Sequence, residues 1–193
     1  MHIIGGLFKN HRLTTPKGNL TRPTSSKLRE SLFNICQSYI IESHFLDLFA
    51  GSGAMGLEAL SRGASTATFV DVNRQAIDCI KKNAAHLKIE NQCEIFCGQV
   101  TLLLKLLSKQ NRQFDIIFAD PPYNTSLDLD GKKFLYSEFV IHSVDENHLL
   151  VPGGTLFVEE DGRYPPKVPT KTLILKDSRK FGQTLVQVYK KLP

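Results

Sequence analysis

The chain lacks any uninterrupted apolar run near the ~20 residues that a membrane-crossing helix needs. Its richest stretch, Leu102–Leu107, is already broken by Lys105. The opening residues, MHIIGGLFKNHRL, carry no basic region ahead of their short apolar run and do not read as a secretory signal. Four cysteines, Cys36, Cys79, Cys93 and Cys97, form no CxxC pair and no zinc-like spacing with the six histidines. They read as small buried thiols in a reducing compartment, so neither a disulfide framework nor a bound metal is expected. No internal repeat, low-complexity tract or linker-like shift in composition breaks the chain. A cytoplasmic protein with no membrane partner is what these absences leave. At 193 residues it can bury roughly 70% of the surface its unfolded chain exposes, enough for one sizeable core. A monomer is expected.

Charge is the first positive feature. The formal net charge is +5, and residues 1–30 account for all of it: Lys9, Arg12, Lys17, Arg22, Lys27 and Arg29 stand against Glu30 alone. The rest of the chain carries as many acids as bases. A basic block of this kind suits a polyanion, because lysine and arginine displace the counterions condensed on phosphates. A solvated arm with no partner would show the same composition.

Along the chain, residues 2–8 and 11–15 could make a short hairpin around Lys9–Asn10. Thr24, Ser25 and Ser26 offer hydroxyl caps for a helix from Ser26 to Ile41. Leu28, Leu32, Phe33, Ile35, Cys36, Tyr39 and Ile40 fall on its apolar face, and the charged first turn faces elsewhere. From residue 45, strand-like runs alternate with helix-like ones. Strands are predicted at Phe45–Phe49, Thr66–Val70, Cys93–Cys97, Phe114–Ala119 and Thr155–Glu159. Helices are predicted at Ala54–Arg62, Arg74–Leu87, Val100–Lys109 and Lys133–Leu150. Such alternation makes a parallel sheet covered by helices. Lys171–Lys176 and Thr184–Lys190, separated only by the turn-like DSRKFGQ, should close it as an antiparallel hairpin.

Two motifs carry chemistry. Asp47-Leu-Phe-Ala-Gly-Ser-Gly-Ala-Met-Gly-Leu-Glu58 follows the first strand of the alternating region and leads into a helix. Gly51 and Gly53 permit a tight turn and a close approach of ligand to backbone. With Gly56 they spell GxGxxG, and Asp71 ends the next strand, where an acid can accept bonds from ribose hydroxyls. These features alone suit NAD or S-adenosylmethionine equally. The second motif decides between them. Asp120-Pro121-Pro122-Tyr123 follows a strand, and its two prolines stiffen the loop and remove two backbone donors. An ionised Asp120 and the Pro121 carbonyl can hold the two hydrogens of a planar exocyclic amine. The Tyr123 ring offers a face for stacking a base, worth roughly 1–3 kcal/mol. His86, His142 and His148 have no carboxylate or thiol partners at ligand spacing. Asp128, Asp130 and Lys132–Lys133 read as a solvated loop.

The order of DLFAGSG, Asp71 and DPPY resembles the class I S-adenosylmethionine-dependent methyltransferases that act on exocyclic amines of nucleic acids. Arg22-Pro-Thr24, Arg29-Glu30-Ser-Leu-Phe33, LEALSRGA at 57–64, VPGGTLFVE at 151–159 and RKFGQTLVQVY at 179–189 narrow the likeness. With them the chain is similar, over nearly its whole length, to the bacterial 16S ribosomal RNA guanine-N2 methyltransferase family. That resemblance implies a Rossmann-like sheet of seven mostly parallel strands with a C-terminal antiparallel hairpin and helices on both faces. A basic N-terminal extension over 1–24 would precede a methyltransferase domain over 25–193.

The resemblance also implies roles. Asp47, Gly51 and Gly53 would line the methionine end of S-adenosylmethionine, and Asp71 would bind its ribose. Gln99 stands where members usually have an Asp for the adenine amine, and Phe181 stands where a Tyr is common. Asp120, Pro121 and Tyr123 would receive the target guanine. Arg12, Arg22, Lys27 and Arg29 would hold the backbone of the ribosomal RNA, naked or within the small subunit. An adenine-N6 methyltransferase would use the same DPPY loop. An NAD-dependent oxidoreductase would explain the glycines and Asp71 and leave DPPY and the basic arm without a role.

Overall fold

The computed structural model describes residues 1–16, 25–123, 125–129, 132–163, 165 and 168–192. Among the described residues the strands form one seven-stranded mixed sheet and a two-stranded ladder. The chain divides into two compact units, 1–100 and 101–193.

The first unit holds α1 (Ser26–Cys36), β1 (His44–Leu48), α2 (Ala54–Ser61), β2 (Thr66–Asp71), α3 (Arg74–Leu87) and β3 (Cys93–Cys97). Its strands are parallel, with Asp47 opposite Phe69 and Asp71 opposite Cys97. Phe45, Leu46, Leu48, Ala67, Phe69 and Val70 are buried without alternation. That pattern belongs to strands covered on both faces. Ser25 caps α1 by accepting the Leu28 N–H, and Asn73 caps α3 by accepting from Gln75. The predicted extension of α1 to Ile41 fails. Its last turn tightens as the Cys36 carbonyl accepts the Tyr39 N–H, and Glu42 takes a positive φ of 61°. Of the four thiols, Cys36 and Cys79 are buried while Cys97 is exposed.

The second unit holds α4 (Val100–Lys109), β4 (Phe114–Ala119), β5 (Ser126–Leu129), β6 (Lys132–Leu135), α5 (Tyr136–Glu146), β7 (Leu150–Asp161), β8 (Leu173–Phe181) and β9 (Thr184–Lys191). β4 runs parallel to β7, and β9 runs antiparallel to both β7 and β8. The predicted terminal hairpin is present with different bounds. Asp177–Phe181 continues β8, and Gly182 alone takes the positive φ (65°) that a two-residue turn demands. The predicted helix from Lys133 is corrected too. Lys132–Leu135 pairs antiparallel with Ser126–Leu129, placing Phe134 opposite Leu127. Helix α5 starts only at Tyr136, where the Glu138 carboxylate accepts the Leu135 N–H.

The N-terminal residues pair as a hairpin only at its ends: His2 and Arg12 form an antiparallel bridge, and the Ile3 and Leu13 N–H groups donate to the His11 and Met1 carbonyls. The segment is anchored on α2 and α3. Ser61 accepts the Phe8 N–H and donates to the Gly5 carbonyl, while Asn83 bonds both the N–H and the carbonyl of Thr14. The main anchor is Glu58 of α2, which is 0% exposed. It accepts the Ile4 N–H at 2.8 Å and Arg62 at 2.8 Å, and pairs with Arg29 at 3.5 Å. Arg29, 1% exposed, also donates to the His2 carbonyl. The charged first turn of α1 therefore does not face wholly outward. Removing one partner of a buried pair leaves the other charge uncompensated, which costs about 3–5 kcal/mol. Glu58→Ala should lose stability of that order in urea unfolding.

Candidate active site

In the first unit, the turn after β1 is built from backbone that few side chains tolerate. Phe49, Gly51 and Gly53 have φ of 61°, 55° and 77°. A Cβ on Gly51 would meet nothing within 4 Å, so the backbone there faces open space. A Cβ on Gly56 would lie 2.3 Å from the Phe69 ring, so α2 packs on β2 only with glycine at that position. Two acidic side chains hold this turn. Asp47, 1% exposed, accepts the Gly56 N–H at 2.9 Å and so satisfies one of the orphan donors that open α2. Asp71, at the end of β2, accepts the Gly51 N–H at 2.8 Å with one oxygen and the Asn73 N–H at 2.8 Å with the other. An ionised carboxylate has about four acceptor sites, so each oxygen can accept again. Next to it, Val72 is apolar yet 69% exposed. Gln99 lies exposed just ahead of α4. The sequence reading passed over Val72, whose only mark is an apolar residue beside an acid at a strand end.

In the second unit, Asp120–Tyr123 leaves the end of β4. Asp120 is half-buried, Pro121 buried and Pro122 exposed. Tyr123 is 39% exposed. Its hydroxyl donates to Glu159 of β7 at 2.7 Å and lies 3.3 Å from the Thr184 hydroxyl of β9. Burial, and then the Glu159 charge, push this phenol far above its ordinary pKa. It stays protonated and serves as a donor. Glu159 and Thr184 went unnoticed in the sequence, although an acid closing the apolar run of VPGGTLFVE was visible.

The four basic residues expected at a polyanion separate. Arg12 and Lys27 are exposed, and Arg12 joins Met1, His2 and Asn10 around an open cavity of about 400 Å³. Arg22 lies outside the described residues. Arg29 is corrected: buried against Glu58, its guanidinium is not offered to an external partner.

Residues 1–190 match the family described as "Conserved hypothetical protein 95". The chain belongs to that family. It is 31% identical to the Ribosomal RNA small subunit methyltransferase D of Escherichia coli K12, over 99% of this chain and 90% of that one. A solved hypothetical protein of Thermus thermophilus superposes with a TM-score of 0.79 at 25% identity, covering 97% of this chain and 98% of its own. SMU.776, solved with S-adenosylhomocysteine, shares the fold alone. It is 16% identical with a TM-score of 0.65, covering 85% of this chain and 48% of its own.

The buried turn has a pH signature. Burial raises the Asp47 carboxyl to about 8, with the neighbouring Asp71 charge adding to the rise and the Gly56 bond opposing it. In the unfolded chain an aspartate titrates near ~3.9. Between those values the folded protein holds a proton that the unfolded chain has lost, so stability falls as pH rises from about 4 to about 8, by at most ~1.4 kcal/mol per unit. Asp47→Asn can still accept from Gly56 but cannot ionise. Urea midpoints across pH 5–8 should therefore decline less steeply in this variant than in the wild type.

Proposed function

We propose that this chain moves the methyl group of S-adenosylmethionine onto the exocyclic N2 amine of a guanine in small-subunit ribosomal RNA. The observation that carries the reading is the loop Asp120–Tyr123, whose two prolines offer carbonyls without N–H donors, in a family member similar along nearly its whole length to a protein named for small-subunit ribosomal RNA methylation. The residues of the first unit fit the cofactor. The open space before Gly51 admits a ligand against the backbone. The fixed Asp71 carboxylate keeps capacity for ribose hydroxyls, and Val72 offers exposed apolar surface for a purine. Gln99 would accept from the adenine amine. Gly53 and Asp47 keep the turn in shape. When bound, the sulfonium supplies an electrophilic methyl group.

The chain's own contribution is orientation, which can supply on the order of 7–11 kcal/mol. Asp120 and the Pro121 carbonyl take the two amine hydrogens, leaving the nitrogen lone pair free to attack. As positive charge develops on that nitrogen, the Asp120 carboxylate stabilises it until one amine proton leaves, to Asp120 or to water. Tyr123 stacks on the base, which must be unpaired or turned out of its helix to enter. Arg12 and Lys27 hold RNA phosphates, and a preference for guanine over adenine follows from the family likeness.

Tritium transfer from labelled S-adenosylmethionine to small subunits lacking this methylation tests the reading. Label should appear as N2-methylguanosine and be lost with Asp120→Ala, while cofactor binding persists. Label in N6-methyladenosine would replace the base and keep the loop chemistry. No label in particles, protein-free RNA or DNA would refute the proposal. Each phosphate contact removed should shallow the dependence of log affinity on log salt by about 0.7–0.9. Arg12→Ala should show that change in filter binding to RNA, measured from low to moderate salt.

A further inference from the structure

Tyr123 is restrained from two directions. On its backbone side, Pro121 and Pro122 fix two consecutive φ angles and leave the chain little freedom to swing. At the far end of the ring, the hydroxyl is bound. It donates to Glu159 at 2.7 Å and meets the Thr184 hydroxyl at 3.3 Å. These two partners come from neighbouring antiparallel strands. Glu159 sits opposite Val186 and Asp161 sits opposite Thr184, so both side chains emerge on one face of the β7–β9 ladder. Glu159 is itself buried, 6% exposed. Between these restraints Tyr123 remains partly exposed.

We infer that Glu159, with Thr184, is a positioning residue that holds the Tyr123 ring as a ready-made stacking platform for the target base. The inference rests on the methyltransferase reading and adds a part to it. A tyrosine swinging freely about two side-chain torsions would have to be ordered when the base arrives. A tyrosine tethered through its hydroxyl has met that ordering requirement on folding. The tether should therefore act on capture of the RNA more than on methyl transfer within the complex. The carboxylate is suited to the task because the phenol remains a donor across the physiological range. Neither Glu159 nor Thr184 needs to touch the base.

The test is steady-state methylation of small subunits lacking the modification, with Tyr123→Phe, Glu159→Ala, Glu159→Gln and the Tyr123→Phe/Glu159→Ala pair. Immobilising one side chain is worth about threefold to tenfold in affinity. Tyr123→Phe keeps the ring and should raise the KM for particles by that factor, with a smaller change in kcat. Glu159→Ala should match it, and the double variant should be no worse than either single one, because both remove the same bond. Glu159→Gln still presents a carbonyl oxygen to the phenol and should recover most of the loss. Binding of S-adenosylhomocysteine, followed by calorimetry, should be alike in all four. If Glu159→Ala fails to fold, Tyr123→Phe carries the comparison alone. Unchanged KM in Tyr123→Phe, additive losses in the pair, or Glu159→Gln as impaired as Glu159→Ala would each overturn the inference. Absence of transfer by the wild-type chain would overturn the methyltransferase reading and take the inference with it.

Discussion

The turn that leaves β1 depends on two carboxyl groups placed under backbone N–H groups. The left-handed turn leaves the Gly51 N–H, and the opening of α2 leaves the Gly56 N–H, without a backbone acceptor, and donors left without partners are costly. Asp47 answers the Gly56 donor from within β1, and Asp71 answers the Gly51 donor from the end of β2. The second bond also fixes the direction of Asp71, since its remaining oxygen is held by Asn73. One constraint thus sets both the shape of the turn and the aim of the acid that closes it. Burying Asp47 raises its pKa to about 8, which shows that the arrangement is not free of electrostatic cost. The chain accepts that cost where it needs an open glycine backbone.

The N-terminal charge shows how composition misleads about individual residues. Six bases within thirty residues read as one basic arm. In the folded chain, Arg29 turns inward to Glu58, where its guanidinium meets a carboxylate and the His2 carbonyl. Burial lowers its pKa and the Glu58 charge opposes that fall. A count of charges is blind to the single helical turn that decides whether a cation points out or in. Periodicity did hold a clue, since Leu32, Phe33 and Cys36 follow Arg29 by three, four and seven residues and share its face of the helix. The partner, Glu58, sits in the next helix and was quoted only as part of the glycine motif and of LEALSRGA. Its burial follows from the packing of α2, a tertiary fact.

Most of the sheet was legible. Parallel strands buried on both faces write themselves as short apolar runs, and Cys93–Cys97 and Phe114–Ala119 fall at their predicted bounds. Helices α3 and α4 do as well, because their apolar stripes are long. The failures cluster where local pattern is weak. Four-residue strands such as Ser126–Leu129 and Lys132–Leu135 carry too few positions for a period of two, and only their mutual pairing defines them. Both loops of the candidate site were visible because glycine and proline act on the backbone directly, through φ and the missing N–H. The residues that steady the DPPY loop, Glu159 and Thr184, were not. They act from strands 36 and 61 positions along the chain from Tyr123, through side-chain bonds that no spacing rule encodes.

That division has a physical basis. Groups that meet a ligand need particular chemistry at a turn, and such chemistry leaves short, recognisable words in the sequence. Groups that aim them need only the right atom at the right place, which several residue types can supply from many elements. Thr184 illustrates the point. At the start of β9, directly after the Gly182 turn, its hydroxyl reaches Tyr123 only because β7 and β9 pair in the register that puts it opposite Asp161. A one-residue slip would turn that hydroxyl to the other face. The hairpin turn at Gly182, remote in sequence from the DPPY loop, therefore helps determine where the end of the Tyr123 ring is held.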